Sequence, residues 1–429
     1  MSLPRLTWGR AAISLLALLV AAAALVAWLN VRGEDPLTGS AESFSATPEQ
    51  VARGAYLARA GNCAACHTDR GGAAFAGGKG IATPFGTVYA SNLTPDAKTG
   101  IGTWSSAQFW RALHNGRSAD GRLLYPAFPY PNFTEITRAD ADALFAFLRS
   151  QVPVTQVDRP HALRFPYNQQ ASLAVWRALF FAPGVYEPVV EHSAQWNRGA
   201  YLVRALGHCA ACHSPRNAFG ATRESLELSG GLIPLQNWYA PALASSAEAG
   251  VADWSDAEVA ALLKTGFTPR GAALGPMAEV VFRSTQYLND ADVAAMAEFL
   301  RSLPQTPRHA AVAATLAKEV RAHGELLYKD RCAACHGANG EGGNGPGGVV
   351  YAPLAGNGKV LLDTPANLIH IIVNGGFPPT TAGNPRPYGM PPFGPSLKDE
   401  EIAVLATYVR NAWGNAAPPV SALDVLDAR

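Results

Sequence analysis

All six cysteines of this 429-residue chain fall in three copies of one pentapeptide. The copies are Cys63-Ala64-Ala65-Cys66-His67, Cys209-Ala210-Ala211-Cys212-His213 and Cys332-Ala333-Ala334-Cys335-His336. Any fold must therefore place two thiols one helical turn apart, with an imidazole directly after them, three times over. That spacing suits a covalently held haem. The two thiols add to the two vinyl groups, and the histidine faces the iron as proximal ligand. A thioredoxin-like redox pair has no need of a histidine after it in every copy. A zinc site needs a fourth ligand and usually a second cysteine pair, and pairing identical motifs leaves one over. Disulfides between motifs leave the histidines without a role. The reading is three haem c groups on Cys63, Cys66, Cys209, Cys212, Cys332 and Cys335, with His67, His213 and His336 on the irons. Every cysteine is then a thioether, and no disulfide is expected.

The motifs sit in a repeat. Arg53-Gly54-Ala55-Tyr56-Leu57 returns as Arg198-Gly199-Ala200-Tyr201-Leu202, and more loosely as His323-Gly324-Glu325-Leu326-Leu327. After each motif comes a glycine-rich stretch and a second echo: Tyr89-Ala90-Ser91, Tyr239-Ala240-Pro241, Tyr351-Ala352-Pro353. Trp104-Ser105 and Trp254-Ser255 open matching segments. Each unit closes on an amphipathic helix, started by Thr137 with Asp140, by Asn289 with Asp292, and by Ser396. These helices carry Phe147, Phe299 and Tyr408 at matched positions, and Gly54, Gly199 and Gly324 in the opening helices leave room for them. The first and last helices of each unit are expected to cross there. No period-2 pattern is strong, so the expected fold is mainly α with glycine- and proline-rich loops.

The boundaries follow from the repeat: domain one over 47–150, a connector over 151–191, domain two over 192–304, a joint over 305–313, domain three over 314–414 and a tail over 415–429. Ahead of them, residues 1–32 form a signal anchor or signal peptide and 33–46 a polar linker. Ala11 to Leu29 is free of charge, with Arg5 and Arg10 before it. Nineteen such residues just span a bilayer core. Ala22-Ala23-Ala24 offers a cleavage site, but the apolar run continues past it to Trp28 and Leu29, which favours a retained anchor over a cleaved signal. The basic flank directs the body away from the cytoplasm, to the periplasmic side of a bacterial inner membrane.

Methionine opposite histidine is the usual second ligand of an electron-transfer haem. The chain has four methionines. Met1 is the initiator, and Met296 lies at an apolar position of a closing helix, where packing explains it. Met277, in Gly275-Pro276-Met277-Ala278, and Met390, in Tyr388-Gly389-Met390-Pro391-Pro392, stand in loops before a closing helix and are the expected ligands. Domain one has no methionine after its motif, and the corresponding loop reads Leu124-Tyr125-Pro126-Ala127-Phe128-Pro129-Tyr130. His114 and His161 are the candidates there, beside an open sixth position. Imidazole in place of thioether lowers the expected potential of that haem. Arg53, Arg198 and Arg216 are weaker candidates as partners of haem propionates.

Charged residues make up only 16% and the net charge is +1. No basic surplus exists to neutralise phosphates, so nucleic acid is not an expected partner. Gly337 to Gly348 is glycine-rich but follows a haem motif and not a strand, which makes a phosphate cradle a poor reading.

Three CAACH units, the RGAYL lead-ins, "SNLTPDAKTGIGTWS" (Ser91 to Ser105), "LYPAFPYPNF" (Leu124 to Phe133) and "GPMAEVV" (Gly275 to Val281) resemble the three-haem cytochrome c subunits of bacterial membrane-associated dehydrogenases. The resemblance covers about residues 47 to 414. It implies three tandem class I cytochrome c-like domains, each enclosing one covalent haem, after an N-terminal transmembrane or signal helix. It implies electron relay and no substrate chemistry, from a catalytic subunit to ubiquinone or a terminal oxidase. That subunit is of the pyrroloquinoline quinone, flavin or molybdenum hydroxylase type, with room for a small iron–sulfur or accessory subunit. The family's methionine ligands map onto Met277 and Met390. Phe128 stands where alcohol and sugar dehydrogenase members carry methionine, a departure that leans toward the molybdenum hydroxylase branch. Two other functions stay open: a haem enzyme or gas- or peroxide-binding protein using an open first haem, and a freestanding membrane-tethered carrier.

Overall fold

The computed structural model describes residues 8–37, 44–306, 315–345 and 350–429. Parts of the expected linker (33–46) and joint (305–313) lie outside the described residues, as does Arg5. The chain divides into two compact units, Met1–Gly54 with Cys66–Tyr186, and Ala55–Ala65 with Glu187–Arg429.

The first unit opens with helix α1 (Trp8–Val31), uncharged from Ala11 to Leu29 and with one buried residue, Asn30. Helix α2 (Pro48–Ala60) carries the RGAYL segment, and the unit border falls inside it after Gly54. The first haem motif is itself a single helical turn, α3 (Cys63–His67). A hairpin of β1 (Gly80–Thr83) and β2 (Gly86–Tyr89) pairs antiparallel from Gly80↔Tyr89 to Thr83↔Gly86. Helix α4 (Ser106–Asn115) starts in a reciprocal capping box of Ser105 and Gln108, and Gly116 ends it in the left-handed conformation. After the short α5 (Tyr130–Phe133) comes the closing helix α6 (Arg138–Arg149), capped by Thr137 on the Asp140 N–H as its sequence suggests.

The expected crossing is there. A Cβ on Gly54 would run into the Ala143 carbonyl and the Phe147 Cβ, so only glycine lets α2 and α6 approach this closely. The connector is structured: β3 (Ala162–Leu163) adds to β2, and α7 (Gln170–Phe180) packs on the end of α1.

In the second unit, α8 (Ala194–Tyr201) runs into a π-helical turn, Leu202–Leu206, before the second motif turn α9 (Ala210–His213). A hairpin of β4 (Gly231–Ile233) and β5 (Trp238–Ala240) follows. Next come α10 (Asp256–Thr265), the two-residue strands β6 (Phe267–Thr268) and β7 (Gly271–Ala272), and α11 (Pro276–Arg283). The closing helix α12 (Asp290–Ser302), capped by Asn289, crosses α8 at Gly199 against the Ala295 carbonyl and Phe299.

The third repeat follows the same plan: α13 (Lys318–Arg331), motif turn α14 (Ala333–His336), strands β8 (Gly343–Asn344) and β9 (Val350–Tyr351), α15 (Ala366–Asn374) and closing α16 (Asp399–Val409). Gly324 faces Tyr408 at the crossing. Ser396 does not cap this last helix. Its N–H bonds back to Phe393 in a tight turn, and the helix starts after Lys398, whose N–H the Glu401 carboxylate accepts at 2.8 Å. Residues 415–429 are no loose tail. They form α17 (Ala422–Asp427) against α16, tied down by the fully buried Arg410, which donates to the carbonyls of Pro418 and Val360 at 3.1 and 2.9 Å.

Candidate haem sites

Each motif turn presents its histidine the same way. Nδ1 of His67 lies 2.8 Å from the Ser91 carbonyl, that of His213 lies 2.7 Å from Pro241, and that of His336 lies 2.8 Å from Ala352. These carbonyls belong to the tyrosine-alanine echo, which the sequence shows as a repeat without showing its purpose. A proton on Nδ1 leaves the Nε2 lone pair free for iron and fixes the ring's direction. Burial lowers the pKa of all three imidazoles, which favours the neutral, ligating form. Three neutral imidazoles, each behind two thiols on one helical turn, are a donor set that fits haem c.

The methionine loops are held in different ways. Met277 is the second residue of α11, after Gly275, whose φ of 53° only glycine adopts easily. A side chain on Gly275 would also strike the Trp238 ring. Met390 is clamped by a two-bond bridge to Gly376, its N–H donating at 2.8 Å and its carbonyl accepting at 3.0 Å, and it packs on the third repeat's core.

In the first unit, His114 is a buried residue of α4. Its Nδ1 lies 2.7 Å from the Thr134 carbonyl and its ring stacks on Trp110. His161 accepts the Tyr89 N–H on Nδ1 at 3.1 Å and stands edge-on to Tyr125. A ring accepting on Nδ1 carries its proton on Nε2, which occupies the nitrogen an iron would need. Phe128 packs against Tyr130 and Phe133.

The arginines are engaged elsewhere. Arg53 donates to Asp140 at 2.7 Å and Arg198 to Asp292 at 2.7 Å, equivalent ion pairs between opening and closing helices. Arg216 donates to the carbonyls of Gly220 and Ala211. These contacts supply helix–helix and loop roles that the spacing alone did not suggest.

Cysteine pairs on single turns, histidines oriented by a repeated carbonyl and helices crossing at glycine define a c-type cytochrome, a class whose covalent haem transfers electrons. The cytochrome c family profile matches residues 51–151, 197–304 and 322–413, and the chain belongs to that family and carries covalently bound haem c. It is 45% identical over 374 residues to a nicotinate dehydrogenase subunit of Pseudomonas putida, covering 85% of this chain but only 30% of that protein. It is 37% identical over 412 residues to the cytochrome c subunit of alcohol dehydrogenase (quinone) of Komagataeibacter europaeus, covering 91% of this chain and 86% of that one. It is 38% identical over 399 residues to the gluconate 2-dehydrogenase cytochrome c subunit of Pantoea cypripedii, covering 88% and 89%.

Proposed function

We propose that this chain is the three-haem electron-transfer subunit of a membrane-associated dehydrogenase. It receives single electrons from a catalytic subunit and delivers them to ubiquinone or a terminal oxidase. The observation that carries this reading is the threefold recurrence of the motif turn with its carbonyl-bound histidine. The relatives named as dehydrogenase cytochrome c subunits support it, as does the one named as a nicotinate dehydrogenase subunit. Cys63 and Cys66, Cys209 and Cys212, and Cys332 and Cys335 hold the three haems. His67, His213 and His336 are the proximal ligands, and Met277 and Met390 bind the second and third irons. The first iron lacks a thioether and has the lowest potential. Of the two candidates for its sixth position, His114 bonds a carbonyl through Nδ1 as the proximal histidines do, which leaves Nε2 for the iron, whereas His161 accepts on Nδ1 and carries its proton on Nε2.

Among partner types, the molybdenum hydroxylase class is favoured. Phe128 replaces the methionine of the alcohol and sugar branches, and nicotinate, in the name of one relative, is an N-heterocycle. Helix α1 anchors the chain in the bacterial inner membrane with its body on the periplasmic side. It has 24 residues, and the apolar window within it has no residue buried by the rest of the protein.

Purification from the native membrane, with mass spectrometric identification of the associated polypeptide, tests the assignment. A large dehydrogenase subunit should copurify, and its substrate should reduce the haems. Purification alone, with peroxide turnover by the isolated chain, would replace this reading with that of a haem enzyme.

A further inference from the structure

Helix α7 is built inside out for a surface helix. Its one charged residue, Arg177, is buried at 3% exposure, while Val175 and Leu179, four residues apart, are 48% and 67% exposed. Ala171 extends the same stripe by one turn. A helix facing water normally carries its charges outward and its apolar stripe inward. In the turn before α7, Phe165 is 80% exposed and Tyr167 is also exposed, so the apolar surface does not end with the helix.

Arg177 is turned inward to hold α1. Its Nε donates to Asn30 Oδ1 at 2.8 Å, and Asn30 Nδ2 donates to the Ala174 carbonyl at 2.9 Å. Arg117 adds a bond to the Asn30 carbonyl at 2.8 Å and an ion pair to Glu34 at 2.6 Å, and Trp110 Nε1 donates to Asp35 at 3.0 Å. The last turn of α1 and the residues just after it are therefore held to α7, to α4 and to Arg117 beyond it by a polar lock. The uncharged run from Ala11 to Leu29 rises about 28 Å, roughly the thickness of a hydrocarbon core. Asn30 and Arg177 then fall at the level of the headgroups, and α7 must lie there with them. Trp28 and the half-exposed Trp176 are aromatics of the kind that settle at this depth.

We propose that α7 is a second membrane contact, an interfacial helix that lays Val175, Leu179 and the preceding Phe165 into the boundary between headgroups and acyl chains. The polar lock makes α1 and α7 one rigid foot, which sets the orientation of the first unit against the membrane where a single anchor would leave it free to swing. The inference rests on the reading of α1 as a retained anchor.

A photoreactive benzophenone side chain placed singly at Leu179, at Leu18 in mid-anchor, or at Val157, an exposed position off α7, tests it in the full chain in its own membranes. Haem absorbance reports that each variant folds. The expected result is phospholipid adducts from positions 179 and 18 and none from 157. Lipid adducts at 18, with a polypeptide adduct or none at 179, would overturn the interfacial helix and leave the anchor. Lipid adducts at 179 alone would keep the surface contact and remove the anchor. Silence at both positions would remove both.

Discussion

Tyr56 donates to Asp292 at 2.6 Å, and the same carboxylate takes Arg198 through Nε and Nη2 at 2.7 and 2.8 Å. One aspartate in a closing helix thus serves an arginine of its own repeat and a tyrosine from the lead-in of the first. Burial, then the bond to Asp292, pushes the Tyr56 hydroxyl well above the ordinary phenolic range. Asp292→Ala strands a partly buried guanidinium and a phenol, and should cost about 3 kcal/mol. Tyr56→Phe, which leaves the ion pair intact, should cost about 1.5 kcal/mol or more. Denaturant melts of the two variants and their double mutant check this. Fully additive losses would show that the Tyr56–Asp292 bond contributes nothing to stability.

The glycine crossings make a graded prediction. In Gly199→Ala the new methyl meets the Ala295 carbonyl, a backbone atom that cannot step aside. At Gly324 the nearest atoms are those of the Tyr408 side chain, with the Val404 carbonyl farther off at 3.2 Å. Gly199→Ala and Gly54→Ala should each cost about 3 kcal/mol or more, and Gly324→Ala less. Thermal melts of the haem-loaded variants give the order.

Replacing a sulfur ligand should leave a spectroscopic mark. Met390→Leu and Met277→Leu should each remove part of the thioether–iron band, lower one midpoint potential and let one more reduced haem bind carbon monoxide. Wild-type protein should show thioether ligation at two haems only. A titration with three closely matched high potentials would contradict the assignment of the first site.

His370 gives a pH dependence outside the haem ligands. Its ring stacks on Trp238 and its Nε2 lies 3.1 Å from the Asn237 carbonyl. Burial lowers its pKa below the ordinary 6.5, only partly offset by the backbone bonds. A folded-state pKa below the unfolded one means that this contribution is fully present above pH 6.5 and is lost as pH falls through that value toward the folded pKa. The melting temperature should therefore drop between pH 7.5 and 5, and the drop should shrink in His370→Phe. Equal slopes in both proteins would assign the loss to other groups.

The chemistry is legible in the order of residues alone. Three pentapeptides dictate covalent haem, because thiol spacing and an adjacent imidazole are local features that survive without a fold. The repeat located the helix crossings for a similar reason, since glycine opposite an aromatic at matched positions has few other uses. The caps at Thr137 and Asn289 were legible because a cap spans only three residues. Ser396 was not, because a turn closed by Phe393 delays the last helix. What the sequence could not supply was the partner of each polar group. Arg53 and Arg198 read as candidates for propionates, yet each meets a carboxylate some 90 residues away. The purpose of the tyrosine-alanine echo emerges only when its carbonyls come within hydrogen-bond reach of the three histidines. Residues 151–191 and 415–429 read as connector and tail because prolines and weak periodicity carry no record of what an element packs against. The seat of α7 on α1 and of α17 on α16 exists only through such packing. Local covalent and conformational rules fix which groups this chain offers, and long-range burial and hydrogen bonding decide which of them meet.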